Sequence, residues 1–270
     1  MDTEFKQFID ESRKLIRVHG KDAKKLLQGI LTNDIDEVTD SIIYSGILTP
    51  QGKYLYDFFV WGLGAENFVI DIDKERVEDL KKTLNLYRLR SDVVISDINQ
   101  KILLGMGMLS PSSFSDPRNP ELGWRELVEE SFEDVSSIRN RDLVKEFEGR
   151  RIGLAIPKYG HELIPNETFI LEMGFDKLNG VSFSKGCFVG QEVTARMKHK
   201  ATLKNGLFRF KNAPDCSSSR KIIYNAKGQK AGVMSSSANG IGLGLMKFLY
   251  NKGKLICDGN ELEVIIEKNI

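Results

Sequence analysis

The chain has 270 residues, of which 41% are hydrophobic and 29% are charged, and its formal net charge is +1. This length exceeds one ordinary hydrophobic core and predicts two or three domains, while the composition excludes a disordered chain. The longest apolar runs are far shorter than the roughly 20 residues of a membrane-spanning helix, so no membrane partner is expected.

The N-terminal stretch "MDTEFKQFIDESRK" mixes acidic and basic residues and contains no apolar core. It resembles neither a secretory signal nor an arginine-rich transit peptide, so we expect a cytoplasmic protein. Within this region "FKQFIDES" favours a helical turn, and "KLIRVHG" predicts a strand that ends at Gly20.

The first 110 residues predict an α+β region. A helix is predicted in "KDAKKLLQGILTNDI", capped by Asp22 and ending with a left-handed cap near Asn33. An antiparallel meander follows in "SIIYSGILTPQGKYLYDFFVWGLGAENFVIDID", where "TPQGK" and "GAEN" are typical of turns. An amphipathic helix is then predicted in "KERVEDLKKTLNLYRLRS", followed by strands in "VVISDI" and "KILLGMGM".

The sequence predicts three regions, of which the first is this α+β region, residues 1–110. The second region, residues 111–203, begins in the proline- and serine-rich loop "LSPSSFSDPRNPELG" and includes a helix expected to end near Gly149. The third, residues 204–270, consists of short alternating stretches separated by Gly, Asn and Ser, which predict a small β-barrel.

The three cysteines and three histidines are scattered along the chain. They form no CxxC pair, no zinc-type spacing and no disulfide framework, so we expect no metal site built by this chain alone.

Basic residues are concentrated between positions 185 and 230, a segment that contains eleven Lys and Arg residues but only two acidic residues. Such a segment forms either a solvated basic face or a site for a polyanion, which would be the carboxylate tail of a cofactor or RNA. Direct tRNA binding is the less favoured reading, because only Phe208 and Phe210 supply aromatic rings within the segment.

The stretch "SFSKGCFVGQEVTARMKHK" places Cys187 in a polar, glycine-rich turn instead of among apolar neighbours. Lys185 precedes it by two residues, and a helix is expected to start near Gly190 with its positive end toward the thiol. Both features favour a partly exposed, reactive thiolate. Gly186 and Gly190 are expected to adopt backbone angles that other residues avoid. The alternative is a small residue that fills a crowded turn.

This stretch resembles the K-G-C-[FY]-x-G-Q-E signature of the YgfZ-type folate-binding proteins, relatives of the glycine-cleavage T-protein. The resemblance covers most of the chain, including "LLQGILTNDI", "LTPQGKYLYDFFVW", "LYRLRSDVVIS", "DPRNPELGWR" and "GHELIPNETFILE". It implies the α+β aminomethyltransferase fold, with three domains in a ring, a central channel that binds tetrahydrofolate or a derivative, and a C-terminal β-barrel. It also implies a role in the assembly or repair of iron–sulfur proteins, including tRNA-thiomodifying enzymes.

The resemblance assigns roles within the signature, residues 182–200. Cys187 matches its reactive thiol and Lys185 its lysine, and both are carried over as catalytic candidates. Gln191 and Glu192 match its final pair and are candidates for folate binding.

Other folate-binding candidates lie outside the signature or follow it. Glu172 resembles the carboxylate that faces the pterin in relatives of the T-protein, and Asp57 lies near a second such carboxylate. A carboxylate suits this task because it accepts two parallel hydrogen bonds from the amidine-like edge of the pterin. Candidates for the glutamate tail are Arg88, Arg90, Arg196 and Lys198, each of which is alternatively an ordinary surface ion pair.

Three functions are compatible with these features. The first is a folate-binding accessory protein that serves iron–sulfur assembly or client proteins and uses Cys187 as a transient thiolate. The second is a folate-dependent aminomethyl or other one-carbon transferase, which is disfavoured because that reaction needs no thiol. The third is a tRNA-binding module.

Overall fold

The computed structural model describes residues 6–38, 41–107, 110–132, 140–199, 203–216 and 218–265. The first nine strands in this part of the chain are β1 Lys6–Ile9, β2 Arg13–His19, β3 Ile42–Leu48, β4 Tyr54–Gly62, β5 Asn67–Asp73, β6 Val94–Asp97, β7 Gln100–Met106, β8 Phe114–Ser115 and β9 Trp124–Glu129. The later strands are β10 Asn205–Lys211, β11 Lys221–Asn225, β12 Lys230–Ala238, β13 Ile241–Lys247, β14 Leu255–Cys257 and β15 Asn260–Ile265. The α-helices are α1 Ala23–Ile30, α2 Val77–Arg88, α3 Asn140–Gly153 and α4 Gln191–His199.

A five-stranded antiparallel sheet in the order β3-β4-β5-β2-β6 is built entirely from the first hundred residues. The predicted meander forms its β3-β4-β5 half, and the predicted strand before Gly20 forms β2. Helix α2 buries Val77, Leu80 and Leu84 in the core it shares with this sheet and α1. Each such side chain contributes roughly 1.5–3 kcal/mol when it is removed from water, so this face fixes the helix on the sheet.

A second, four-stranded sheet has the order β1-β7-β9-β8 and combines strands from both sides of residue 110. Its first strand replaces the helical turn expected in "FKQFIDES", so that prediction is wrong. Phe8 is buried against the apolar core between the two sheets, and the backbone of β1 pairs with β7 from Lys6 to Ile9. Pairing with a distant strand therefore overrides the local preference.

The predicted C-terminal barrel is confirmed as a closed, six-stranded unit in the order β10-β13-β12-β11-β14-β15, with β15 pairing back to β10. Its core is separate from the cores of the two sheets and is centred on Phe210, Met234 and Met246. The α+β fold class with a terminal barrel is therefore confirmed.

Two predicted helix ends are wrong. Helix α1 ends at Ile30 and Leu31 is extended, because the following residues pack against β3 instead of forming a left-handed cap. The Asn33 side chain donates hydrogen bonds to the carbonyl oxygens of Tyr44 and Asn179. Helix α3 continues past Gly149 to Gly153.

Buried ion pairs join the two sheets. Asp71 on β5 accepts from Arg13 on β2 at 2.6 Å and from Arg125 on β9 at 2.9 Å. Arg125 also reaches Asp116 at 3.1 Å, and Asp116 pairs with Arg118 at 2.8 Å. Burial alone would raise the pKa of Asp116, but the guanidinium groups of Arg118 and Arg125 outweigh burial and hold it at about 2.

Asp116 is expected to contribute to the acid side of the stability profile, together with Glu148, whose pKa the neighbouring Arg151 and Lys158 also lower to about 2. The pKa of Asp116 is about 2 in the fold against an ordinary 3.8, so its charge contributes roughly 2 kcal/mol of stability above about pH 4. This contribution is lost as the pH falls from about 4 to about 2. Asp116→Asn should lower the free energy of unfolding at neutral pH and flatten its decline on acidification, as measured by urea unfolding. An unchanged acid dependence would contradict this.

Within the described ranges, none of the helices is long and apolar enough to cross a membrane.

Candidate functional site

The signature turn before α4 is anchored to the end of α1 by Lys185. This lysine is buried, and its Nζ donates to the carbonyl oxygens of Gln28, Leu31 and Asn33 at 2.8, 2.8 and 2.9 Å. Burial lowers the pKa of Lys185 to about 8, against the opposing attraction of Asp34 and Asp36. All three N–H donors of the ammonium are therefore used by backbone carbonyls in the last turn of α1 and in the residues just after it.

Backbone hydrogen bonds extend this anchor on both sides of Lys185. The amide of Ser182 donates to Thr32 at 3.0 Å, and the amide of Val189 donates to Gly29 at 3.3 Å. The Thr32 hydroxyl donates to the carbonyl oxygen of Gly180 at 2.7 Å. The segment that carries Cys187 is thus fixed to α1 and the residues that follow it.

The two signature glycines have different roles. Gly190 has φ +82°, and a Cβ at this position would lie 2.6 Å from the Thr49 carbonyl oxygen, so the turn needs glycine there. Gly186 has no positive φ and would not crowd a Cβ, so the special backbone angle expected there is absent. Helix α4 begins at Gln191, directly after Gly190, as the sequence predicted.

The three cysteines occupy different environments. Cys187 is exposed, whereas Cys216 and Cys257 are buried in the barrel. Burial raises the pKa of Cys216, and burial together with the neighbouring Cys216 and Asp258 raises the pKa of Cys257 to about 11. The barrel thiols are therefore held protonated, and Cys187 is the thiol that solvent and a partner can reach.

A cavity of about 560 Å³ lies where the two sheets meet α3. Its polar floor contains Arg13, Arg118 and Arg125, and its apolar wall includes Phe8 and Phe147. Ligand-binding cavities are commonly of this size and combine apolar walls with a few fixed polar groups.

Among the carboxylates that line this cavity, Asp57 is the buried one. Its two oxygens accept from the Tyr44 hydroxyl at 3.0 Å and from the Tyr54 hydroxyl at 2.6 Å. Burial and the neighbouring Asp57 raise the pKa of both tyrosines well above the usual value, so both hydroxyls stay protonated donors. Each Asp57 oxygen retains a lone pair for a ligand.

Comparison with known proteins supports a specific family, although no family model matches the chain. The mouse protein named "Iron-sulfur cluster assembly factor IBA57, mitochondrial" is 27% identical over 290 residues, covering 94% of this chain and 81% of that protein. The human protein of the same name is 27% identical, covering 91% and 78%. The Neurospora crassa homologue is 32% identical over 222 residues, covering 72% of this chain and half of that protein.

The chain belongs to the IBA57/YgfZ family. Its fold is that of a T-protein. The crystal structure of the glycine cleavage system aminomethyltransferase T from Bartonella henselae matches with a TM-score of 0.74, covering 97% of this chain and 85% of that one at 13% identity.

The structure of this IBA57/YgfZ family member does not bring the predicted site residues together. The cavity wall contains Asp57 alone among them. The signature turn and α4 carry Lys185, Cys187, Gln191, Glu192 and Arg196. Glu172 accepts a hydrogen bond from the Asn205 side chain at 2.8 Å, outside the cavity lining.

The predicted tail arginines also lie elsewhere. Arg88 donates to the Val93 carbonyl oxygen at 2.6 Å, and Arg90 is exposed beside α1. Lys198 pairs with Asp176 at 2.7 Å, and Arg196 is exposed on α4. None of these four cations lines the 560 Å³ cavity.

The cations that do line the cavity were missed at the level of sequence. Arg118 and Arg125 fall within "DPRNPELGWR", a stretch that resembles the family, but nothing local marks them as buried. Arg141 and Lys145 lie four residues apart on one face of α3 and are exposed where it meets the cavity. Their i, i+4 spacing is the one sequence signal that could have identified them as a pair of cations on the same face of a helix.

Proposed function

We propose that this chain is a folate-binding iron–sulfur cluster assembly factor that uses Cys187 as a reactive thiol. The observation that carries the proposal is the exposed Cys187 on a turn anchored by Lys185, in a chain alignable over nearly its whole length with proteins named IBA57. A thiol kept for packing would be buried, as the other two are.

The cavity has groups that suit each part of a folate. Asp57 accepts hydrogen bonds from the donor edge of a pterin, and Phe8 and Phe147 supply flat apolar walls for its rings. Arg141 and Lys145 suit the carboxylates of the glutamate tail. The residues present therefore fit tetrahydrofolate or a derivative, which we propose as the ligand of this cavity.

Cys187 is proposed to act on a cluster together with a partner protein. Within the part of the chain that the structure describes, no group of three or more His, Cys, Asp or Glu side chains is placed to hold a metal ion. One exposed thiolate supplies a single ligand, whereas a cluster in a protein is commonly held by four. Cys187 is therefore suited to a transient bond during transfer to or from an assembly or client protein.

Rescue of a deficient cell tests this function. Cells that lack their own member of the family should recover the activity of an enzyme that carries a [4Fe–4S] cluster when this chain is expressed. The activity of an enzyme that contains no iron–sulfur cluster, measured in the same cells, serves as the control. Normal expression without recovery would contradict the proposal.

Asp57→Asn is expected to weaken the binding of tetrahydrofolate by at least about tenfold, because the variant loses a charge-assisted pair of acceptors. Isothermal titration calorimetry measures the change, and Glu172→Gln serves as a matched control on a carboxylate outside the cavity. If Glu172→Gln loses affinity for tetrahydrofolate while Asp57→Asn binds it normally, the pterin binds at Glu172 and not at Asp57.

Direct tRNA binding has less support in the structure. Of the basic residues in the segment 185–230, Lys185 is buried against the end of α1, and Lys198, Lys211 and Lys221 form ion pairs. If the chain binds tRNA, its affinity for tRNA should fall steeply as the salt concentration rises in a binding titration, whereas its affinity for folate should change little.

The curated relatives are named mitochondrial, and the cytoplasmic location expected from the sequence stays a prediction.

A further inference from the structure

A second concave surface lies beside the signature turn. It is a groove of about 900 Å³ between α1 and the turn that follows α2, which we call the α1–α2 groove. Its lining includes Lys25, Leu26, Gly29, Leu89, Arg90 and Val189. Val189 is two residues from Cys187, and its amide donates to the carbonyl oxygen of Gly29. The groove is therefore lined by the same turn that carries the exposed thiol.

Leu89 is held in an unfavourable state in the isolated chain. Its side chain is 82% exposed, and its φ of +47° is one that leucine rarely adopts. Leu86, one turn earlier on α2, is also 71% exposed. Both the backbone angle and the exposed apolar surface cost free energy, and no contact among the described residues covers these two leucines.

The turn that carries Leu89 is rigid. Arg88 donates to the Val93 carbonyl oxygen at 2.6 Å, and the amide of Ser91 donates to Arg88 at 2.7 Å. The amide of Asp92 donates to the Asp22 carboxylate at 2.8 Å, which ties the turn to the start of α1. Leu89 is therefore displayed in one place instead of folding back on the helix.

The charge of the groove favours a partner with carboxylates. Its lining has two cations, Lys25 and Arg90, which form no ion pair among the described residues, and one carboxylate, Asp22, which accepts from the Asp92 amide. The nearby Lys21 and Lys24 are already paired, with Asp92 and Asp36.

We infer that the α1–α2 groove docks a protein segment that has an apolar side chain flanked by carboxylates, on the partner that meets Cys187. The inference rests on the proposed function, because that function supplies the partner. Leu89 and Leu26 contact the apolar side chain, and Lys25 and Arg90 pair with the flanking carboxylates. Docking beside Val189 brings the partner to the thiol.

A model peptide tests the groove. The probe is a synthetic hexapeptide with Leu-Phe between two glutamates on each side, and the matched control has lysines in place of the glutamates. Calorimetry at low salt should show binding of the acidic peptide alone. Nuclear magnetic resonance shifts should centre on Leu89 and Val189.

Leu89→Asn and Arg90→Glu are each expected to weaken binding of the acidic peptide by tenfold or more. Asparagine tolerates positive φ, so Leu89→Asn should keep or raise the melting temperature, and the loss of binding is then separate from folding. Leu249→Asn is the matched control, since Leu249 is 80% exposed on the barrel and does not line the groove.

Several outcomes would overturn the inference. These are equal binding of both peptides, unchanged binding by Leu89→Asn, self-association of the chain through this face in sedimentation, and binding to phosphatidylserine vesicles in place of the peptide. If the peptide results are negative while the wild-type chain rescues cluster enzymes, the docking inference fails and the proposed function stands. If the peptide results are positive without rescue, the proposed function fails, and the groove remains a site for an acidic segment without the link to Cys187.

Discussion

Cys187→Ser is expected to abolish the rescue of [4Fe–4S] enzymes while leaving the fold intact. A serine hydroxyl does not ionise near neutral pH and is a poor ligand for iron in a cluster, so neither a redox step nor a cluster bond survives the change. Because Cys187 is exposed, the free energy of unfolding should change by no more than about 0.5 kcal/mol. Enzyme activity in rescued cells and urea unfolding of the purified variant measure the two effects.

The matched control is Cys216→Ala, which removes a buried barrel thiol. This variant should lose some stability through the cavity it creates, yet rescue the same enzymes when its expression equals that of the wild type. Full rescue by Cys187→Ser would end the role proposed for the thiol. Tetrahydrofolate affinity should be unchanged in Cys187→Ser, because Cys187 does not line the cavity that we assign to folate.

Lys185→Met is expected to lower the free energy of unfolding by about 2–4 kcal/mol, the largest stability effect among these variants. Methionine fills a similar volume but donates no hydrogen bonds, so the carbonyl oxygens of Gln28, Leu31 and Asn33 lose their donor. The turn that carries Cys187 should also loosen. Hydrogen exchange at the Val189 amide, which is bonded to Gly29, should therefore accelerate more than exchange in the barrel.

Lys198→Met is the control for this change, because Lys198 makes an exposed ion pair with Asp176. Exposed pairs contribute about 0–1 kcal/mol, so the control should be close to wild type. If Lys185→Met unfolds at the same urea concentration as Lys198→Met, then the three carbonyl contacts do not anchor the turn.

The regular parts of the fold were predictable because their signals are local. Alternating apolar residues and glycine turns specify the meander and the barrel, and the 3–4 spacing of Val77, Leu80 and Leu84 specifies α2. The strand β1 was not predictable, since its four residues gain their partner from β7, nearly one hundred residues away.

The candidate site was predictable only where one stretch of sequence carries it. Cys187 and the start of α4 follow from the signature, but the role of Lys185 depends on carbonyls more than 150 residues away. The sequence suggested that Lys185 acts on the thiol, whereas its ammonium is directed at α1. Asp57 lines the cavity and Glu172 does not, and the packing of distant elements, which no local pattern shows, decides this difference.

The pairing of β1 with β7 imposes an order on the folding of the chain while it is being synthesised. All strands of the five-stranded sheet lie between Arg13 and Asp97, so that sheet can assemble as soon as this stretch has emerged. The N-terminal strand must wait for β7, and β7 is itself an inner strand that stays open on one side until Trp124–Glu129 has left the exit tunnel. During that interval the nascent chain displays an unpaired strand edge, which is the kind of surface that chaperones bind.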